Sequence, residues 1–269
     1  MYATRVLTRR TALLTTTVGS TTATQPIVRT MTTTSASDEL QAKFAELRKF
    51  TACDVSDALL KLNPRSHKHR AGYLADLKPR TSSSQAPVIG IASTFKFIPK
   101  STPPEDVPKF PAENLIPKDT HWADCVKPDT VVVIEQPAGQ FCASLGGIMA
   151  TRMSVLGAKG VVVDGRVRDK EELEGSGLAI WSRATSTVGS GAESKPLARE
   201  VDVNISGVPV SAGDIIYLDP SEGAVVIQRS LLDDVLALMP KIVSADDKVK
   251  EAVQGGMSVF EAFKKFRGT

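Results

Sequence analysis

Arg168 and Asp169, with Glu172 three positions on, are the residues of this 269-residue chain best suited to carry chemistry. They close the run Asp164-Gly165-Arg166-Val167-Arg168-Asp169-Lys170-Glu171-Glu172, directly after an apolar segment that reads as a strand. A guanidinium just past a strand end can take a carboxylate through two parallel hydrogen bonds. The carboxylate beside it offers hard oxygen ligands to Mg²⁺ or Mn²⁺. Upstream, Gly146 and Gly147 open a helical pattern that continues through Ile148 and Met149. Glycines at a helix start let backbone N–H groups approach an anion, and that end of a helix favours negative charge. Together these pieces suit a small anionic substrate held against a divalent cation. Each piece also has a plainer reading. Asp169 and Glu172 have the spacing of a capping box, the glycine pair could serve packing, and Arg168 could form a surface ion pair.

The elements that must position these residues are legible around them. Thr130–Glu135 and Gly160–Asp164 are β-branched apolar runs that predict buried strands. Ser144–Leu156 and Arg168–Leu173 read as helices. Strand, helix, strand, helix implies a parallel pair joined by a right-handed crossover, and such sheets bind ligands at the carboxyl ends of their strands. Before them, Asp38–Leu62 reads as helical, with Thr51 or Asp54 able to cap a second short helix through Ala58–Leu62. Val88–Phe97 predicts a strand, and Pro99–Pro117, with six prolines, a long irregular excursion. Ala179–Thr187, Val201–Ile205, Val208–Val210, Asp214–Leu218 and Gly223–Gln228 are short strand candidates, and Leu231–Lys241 and Lys248–Phe266 closing helices. The expectation is one α/β domain with mixed sheets over residues 38–269, preceded by a tail.

Composition narrows the function classes. Hydrophobic residues make up 42% and charged residues 23%, enough apolar content for a buried core. The net charge of +3 is small, and Arg5, Arg9, Arg10 and Arg29 of the tail account for it. No stripe of Lys and Arg interleaved with aromatics is present, so a nucleic-acid partner is not expected. No apolar run approaches about 18 residues, so no membrane span is expected. Cys53, Cys125 and Cys142 form neither a zinc pattern nor a CxxC pair and read as reduced thiols. His67, His69 and His121 have no acid at ligand spacing and read as surface histidines. No GxGxxG or GxxxxGK[ST] loop supports nucleotide or adenosyl-cofactor binding. Residues 1–37, rich in Thr and Arg and free of acid, fit a mitochondrial transit peptide; a disordered extension is the alternative. Initiation at Met31 would leave a cytoplasmic form.

Gly147, twenty intervening residues, Arg168-Asp169 and then Glu172 resemble the signature of the RraA-like family, in its 4-hydroxy-4-methyl-2-oxoglutarate aldolase and oxaloacetate decarboxylase branch. The surroundings GGIMATRMSVLGAKGVVVDGRVRD and VPVSAGDIIYLDPSEGAVVI, with CDVSDALLK and VIGIASTFKF before them, are similar to the family from about Leu40 to Leu238. The resemblance implies layered mixed sheets flanked by helices, of the swivelling α/β/β/α type, assembled as a homotrimer or hexamer with sites near subunit boundaries. It implies a metal-dependent lyase acting on small 2-oxo acids through a pyruvate enolate. Arg168 would bind substrate and steady the enolate, Asp169 would be the direct metal ligand, and Glu172 would order metal-bound water. The backbone of Gly146, Gly147, Ile148 and Met149 would hold the pyruvate carboxylate. Asp219 and Glu222 match no catalytic role. Some bacterial aldolases have Asp where this chain has Gly147, and a site lacking that acid is expected to retain decarboxylation better than aldol cleavage. The resemblance also implies an alternative, since some members regulate an RNA-processing enzyme by protein contact without catalysis.

Overall fold

The computed structural model describes residues 36–63, 69–82 and 86–268, so the expectations for the tail before residue 36, Met31 included, and for His67 lie outside the described residues. The strands are β1 (Lys78–Pro79), β2 (Val88–Pro99), β3 (Thr130–Glu135), β4 (Ala143–Leu145), β5 (Gly160–Val167), β6 (Ala179–Thr185), β7 (Ser194–Arg199), β8 (Val203–Ile205), β9 (Val208–Val210), β10 (Ile215–Asp219) and β11 (Gly223–Ile227). The helices are α1 (Ala36–Leu47), α2 (Ala52–Leu62), α3 (Gly147–Val155), α4 (Lys170–Gly175), α5 (Leu232–Gln254) and α6 (Val259–Phe266).

One mixed sheet runs in the order β1-β6-β5-β3-β2-β10-β11, with β4 beside β5 and β7 beside β2; β8 and β9 form a separate hairpin. Its centre is parallel, β2 on β3, β3 on β5 and β5 on β6. Val131 through Ile134 and Val161 through Val163 are fully buried, as expected of parallel strands covered on both faces. Three apolar clusters fill the space around the sheet. Val132, Ile134, Val161 and Val163 pack against Ala150 and Met153 of α3 and Leu173 of α4. On the other face Val131, Val133 and Val162 meet the β8–β9 hairpin through Val203, Ile205, Val208 and Val210. The third cluster joins α1, α2 and the first half of α5 to β10 and β11. The result is the layered α/β architecture expected, with the sheet more continuous than a stack of separate short strands.

Several boundaries differ from the sequence reading. The second helix capped by Thr51 is present as read, but it starts at Ala52; the Thr51 side chain accepts the Asp54 N–H while Asp54 accepts the Thr51 N–H. Residues 144 and 145 belong to β4, and the helix begins at Gly147. Strand β5 continues through Arg166 and Val167, so Arg168 follows it directly. The predicted gap between residues 241 and 248 is filled, because α5 continues through Pro240 to Gln254. Strand β7 was not anticipated; its proline and charged residues hide the alternation that marks a strand. The proline-rich excursion is indeed irregular, with short turns of 3₁₀ helix. It is anchored by Asn114, whose amide donates to the Arg199 and Glu200 carbonyls. Just beyond it, Trp122 packs edge-on against Phe95 and Phe97.

Asp219, which had no catalytic match, has a structural task. Its buried carboxylate accepts the Ala52 N–H at the start of α2 (3.1 Å) and the Ser221 and Glu222 N–H groups of the β10–β11 turn (3.0 and 3.3 Å). Asp219→Ala strands the N–H of buried Ala52, at a cost of about 1–3 kcal/mol, while the N–H groups of exposed Ser221 and Glu222 can turn to water. A fall in stability of about 1–3 kcal/mol is expected in chemical denaturation, with the two-state slope unchanged.

Candidate active site at the end of β5

The parallel strands set the geometry. Pairing of β5 with β6 shifts register between Val163 and Arg166, and an irregularity of this kind re-aims the residues that follow. At the same place Gln136 reaches across, its Oε1 accepting the Arg166 N–H at 2.9 Å and its Nε2 donating to the Cys142 carbonyl at 2.7 Å. A side chain at Gly165 would overlap Gln136. The chain then turns sharply. The Arg168 N–H bonds the Leu145 carbonyl (3.0 Å), and Asp169 takes a left-handed conformation, φ 62° and ψ 51°. That region is uncommon for a side-chain-bearing residue, with Asp among those that tolerate it.

This turn resolves the alternative readings of the Asp169–Glu172 pair. Asp169 is the N-cap residue of α4, yet its side chain makes no capping bond to that helix. It crosses instead to α3, where Oδ2 accepts the Gly147 N–H at 3.1 Å. Arg168 Nε lies 3.4 Å from the same oxygen. The capping-box reading is therefore not realised. The two separated motif segments meet at one carboxylate.

The glycines have steric reasons. A Cβ at Gly146 would come within 2.7 Å of Asp169 Oδ2 and 3.2 Å of Arg168 Nε. A Cβ at Gly147 would fall well inside 3.0 Å of both the carboxylate and the Cβ of Glu172. Gly189 plays a similar part on the far side, since a Cβ there would sit 3.1 Å from Arg168 Nη1. Ile148 and Met149 occupy the first turn of α3, where backbone N–H groups have no partner within the helix. Met149 packs against the core, whereas the Ile148 side chain is 74% exposed.

Arg168, Asp169 and Glu172 line one open cleft of about 600 Å³, together with Thr185, Ser186 and Thr187 from the end of β6. Those three, and Gly189 beside Arg168, were not singled out in the sequence, whereas Lys170 and Glu171 arrive with the motif run itself. The parallel pairing of β6 on β5 carries Thr185 to Thr187 there, a signal invisible in their own residue types. Among the described residues no group of three or more His, Cys, Asp or Glu side chains could hold a metal. Asp169 and Glu172 supply two carboxylates open to solvent, a donor set that fits Mg²⁺ or Mn²⁺, ions that keep several waters and use one or two carboxylates. The two described histidines stay apart from the site: His69 lies against Gln228, and His121 Nδ1 accepts the Ala123 N–H. All three cysteines are free, and burial pushes the Cys142 thiol pKa up, disfavouring the thiolate.

A profile described as RraA-like, Aldolase/RraA, matches residues 52–226. The chain belongs to the RraA-like family. A protein of Arabidopsis thaliana named "Putative 4-hydroxy-4-methyl-2-oxoglutarate aldolase 2" is 33% identical over 102 residues, 38% of this chain and 60% of that one. A like-named protein of Halalkalibacterium halodurans is 28% identical over 138 residues, 51% of this chain and 64% of that one. Protein DlpA of Legionella pneumophila is 23% identical over 84% of this chain but only 34% of its own length. The chain thus spans less than two thirds of the length of each of these curated relatives. Among solved structures, Streptomyces coelicolor RraAS2, an unusual member of the RNase ES inhibitor RraA protein family, matches with a TM-score of 0.57 and 26% identity over 81% of this chain and 96% of that one. An uncharacterized Pseudomonas syringae protein matches with a TM-score of 0.63 and 22% identity over 82% and 96%. This RraA-like fold is the one expected from the sequence, and aldolase names recur among the relatives.

Two outcomes follow for the site's framework. Gly147→Ala is expected to displace α4 from α3 and lower the melting temperature, and adding Glu172→Ala only partly restores it, because the Glu172 Cβ is also in the way. Glu193 accepts the Phe141 and Cys142 N–H groups, both at 2.7 Å, and these bonds hold its carboxyl below the ordinary glutamate value. A depressed folded-state pKa adds stability above the unfolded value that is lost as pH falls through the folded one. Melting curves of wild type and Glu193→Gln should therefore differ near neutrality and converge at acidic pH below the glutamate range.

Proposed function

We propose that the chain is a divalent-metal-dependent carbon–carbon lyase acting on pyruvate-type 2-oxo acids, by retro-aldol cleavage, decarboxylation of oxaloacetate, or both. The observation that carries the reading is the Asp169 carboxylate bound to the first N–H of α3 with Arg168 beside it. This contact ties the start of α3 to the guanidinium and the hard-oxygen donor that line the cleft, and a helix start of this kind is suited to an anion.

The substrate carboxylate would be bound by the free N–H groups of Ile148 and Met149, aided by the positive end of the helix. Arg168 would donate to the 2-oxo oxygen, where negative charge grows as the C3–C4 bond breaks and its electron pair moves into the pyruvate half. A donor aimed at developing charge is stronger in the transition state than in the ground state. Asp169 would hold Mg²⁺ or Mn²⁺, which when bound supplies Lewis-acid polarisation of the keto oxygen. For an aldol substrate the 4-hydroxyl proton must also leave as the new carbonyl forms, and the Glu172 carboxylate is the acceptor we assign. Oxaloacetate loses CO₂ and needs no such acceptor. In both cases C3 of the enolate takes a proton to give pyruvate.

The face of α3 bearing Ile148 and Val155, 74% and 73% exposed, lies seven residues apart on one side of the helix. We assign it to contact between copies, in the trimer the family resemblance implies. The regulatory reading draws support from the RraAS2 likeness and makes a different forecast, namely no turnover under any metal.

Pyruvate release from oxaloacetate and from 4-hydroxy-4-methyl-2-oxoglutarate, with Mg²⁺ or Mn²⁺ and with EDTA, tests the reading. Activity should require the metal, with oxaloacetate the better substrate. Asp169→Ala should remove the metal-dependent rate, and Arg168→Ala should lower turnover by about 10²–10³-fold. Near-normal turnover in either folded variant would place the chemistry elsewhere.

A further inference from the structure

We propose a second binding site, for a small aromatic carboxylate, built on Arg166 and Phe141. A cavity of about 420 Å³ is lined by the loop 136–141, by residues 164–166 at the end of β5 and by 183–184 of β6. It shares no lining residue with the Arg168–Asp169 cleft. Its volume is that of a small-molecule site. It too sits at the carboxyl ends of parallel strands, β3 and β5.

The two guanidinium groups at this cavity are held differently. Arg183 is committed, with Nε donating to Asp164 and Nη1 3.6 Å from Asp76. The other Asp164 oxygen accepts the Ser206 N–H at 2.9 Å. Arg166 has no acid partner among the described residues. Its Nη1 donates to the Thr185 carbonyl at 3.0 Å and its Nε to the Gln140 carbonyl at 3.4 Å. Neutral carbonyls orient the guanidinium without pairing it to an acid, so its charge faces the cavity without an ion-pair partner.

Beside that charge stands an apolar surface. The Phe141 ring is 69% exposed, and the guanidinium carbon of Arg166 lies 5.9 Å from its centroid. A lone exposed Phe needs no explanation; an exposed ring against an un-neutralised guanidinium, at the wall of a cavity, presents two complementary halves. The loop that carries the ring is held in advance by Glu193 on its Phe141 and Cys142 N–H groups and by Gln136 on the Cys142 carbonyl. Preorganisation of this kind lowers the cost of binding. A flat ring stacked on Phe141 with its carboxylate on Arg166 satisfies both halves. A simple anion would leave the ring unused.

Benzoate binding to the full-length protein, followed by saturation-transfer NMR and calorimetry, tests this, with acetate as the ringless control. Benzoate should bind about three- to tenfold more tightly than acetate. Phe141→Ala, at an exposed position that leaves folding intact, should remove that advantage and leave acetate unchanged. Arg166→Gln, checked for an unaltered melting curve, should abolish both. Arg168→Ala should leave benzoate binding intact, which separates this site from the proposed lyase centre. Equal affinity for benzoate and acetate, indifference to Phe141→Ala or Arg166→Gln, or loss on Arg168→Ala would each overturn the proposal.

Discussion

The hydrogen bond from the Gly147 N–H to Asp169 Oδ2 is the contact on which the site depends. It joins the start of α3 to the turn after β5, two places twenty-two residues apart in the chain. Without it the helix end and the guanidinium would be separate surface features. Its requirements reach outward. Asp169 must adopt its left-handed turn, a conformation that costs roughly 1 kcal/mol or more, for the carboxylate to face away from α4. The strand must end where it does for Arg168 to bond Leu145 and lie alongside. The core supplies the leverage: Met153 and Leu173, both fully buried, lock α3 and α4 against the same apolar cluster.

Electrostatics in this corner are arranged by neighbours more than by burial. Asp169 and Arg168 both remain part-exposed, so their mutual attraction is screened and contributes little to stability. What the pairing provides is orientation. On the opposite side of β5 the Arg183–Asp164 pair is more enclosed and tied further to Ser206. One strand end therefore carries a structural ion pair on one face and a solvent-open pair on the other. The open pair is the one that solvent reaches.

The sequence displayed the site's members more clearly than its frame. Arg168, Asp169, Gly146 and Gly147 stood out because their types and spacing match a specific pattern, and β3 and β5 because β-branched runs mark buried parallel strands. The capping-box spacing of Asp169 and Glu172 was ambiguous, since it states separation along the chain and says nothing of where a side chain points. Strand β7 and the wall made by Thr185, Ser186 and Thr187 were illegible for a different reason. Their roles come from pairing partners far away in sequence. Continuity of α5 through Pro240 likewise rests on tertiary packing, with Val235, Met239 and Ile242 buried on both sides of the proline. Local propensity opposes that helix, and burial outweighs it.

The Gly147–Glu172 contact bears on why the acid in this corner comes from α4. The room a side chain at 147 would need is filled by Glu172, whose carboxylate and Cβ both press on the glycine. A side chain at 147 would require Glu172 and the start of α4 to shift from their present place. In this chain the second acid of the corner comes from the first turn of α4. Delivery from α4 leaves the α3 N–H groups uncovered by any side chain at 147, which suits an anion seated on the helix end. It also sets the second acid on a longer side chain, with more freedom to follow a cation or a proton than a fixed aspartate has. On the lyase reading proposed above, the balance between decarboxylation and aldol cleavage would turn on reach as well as on the presence of charge.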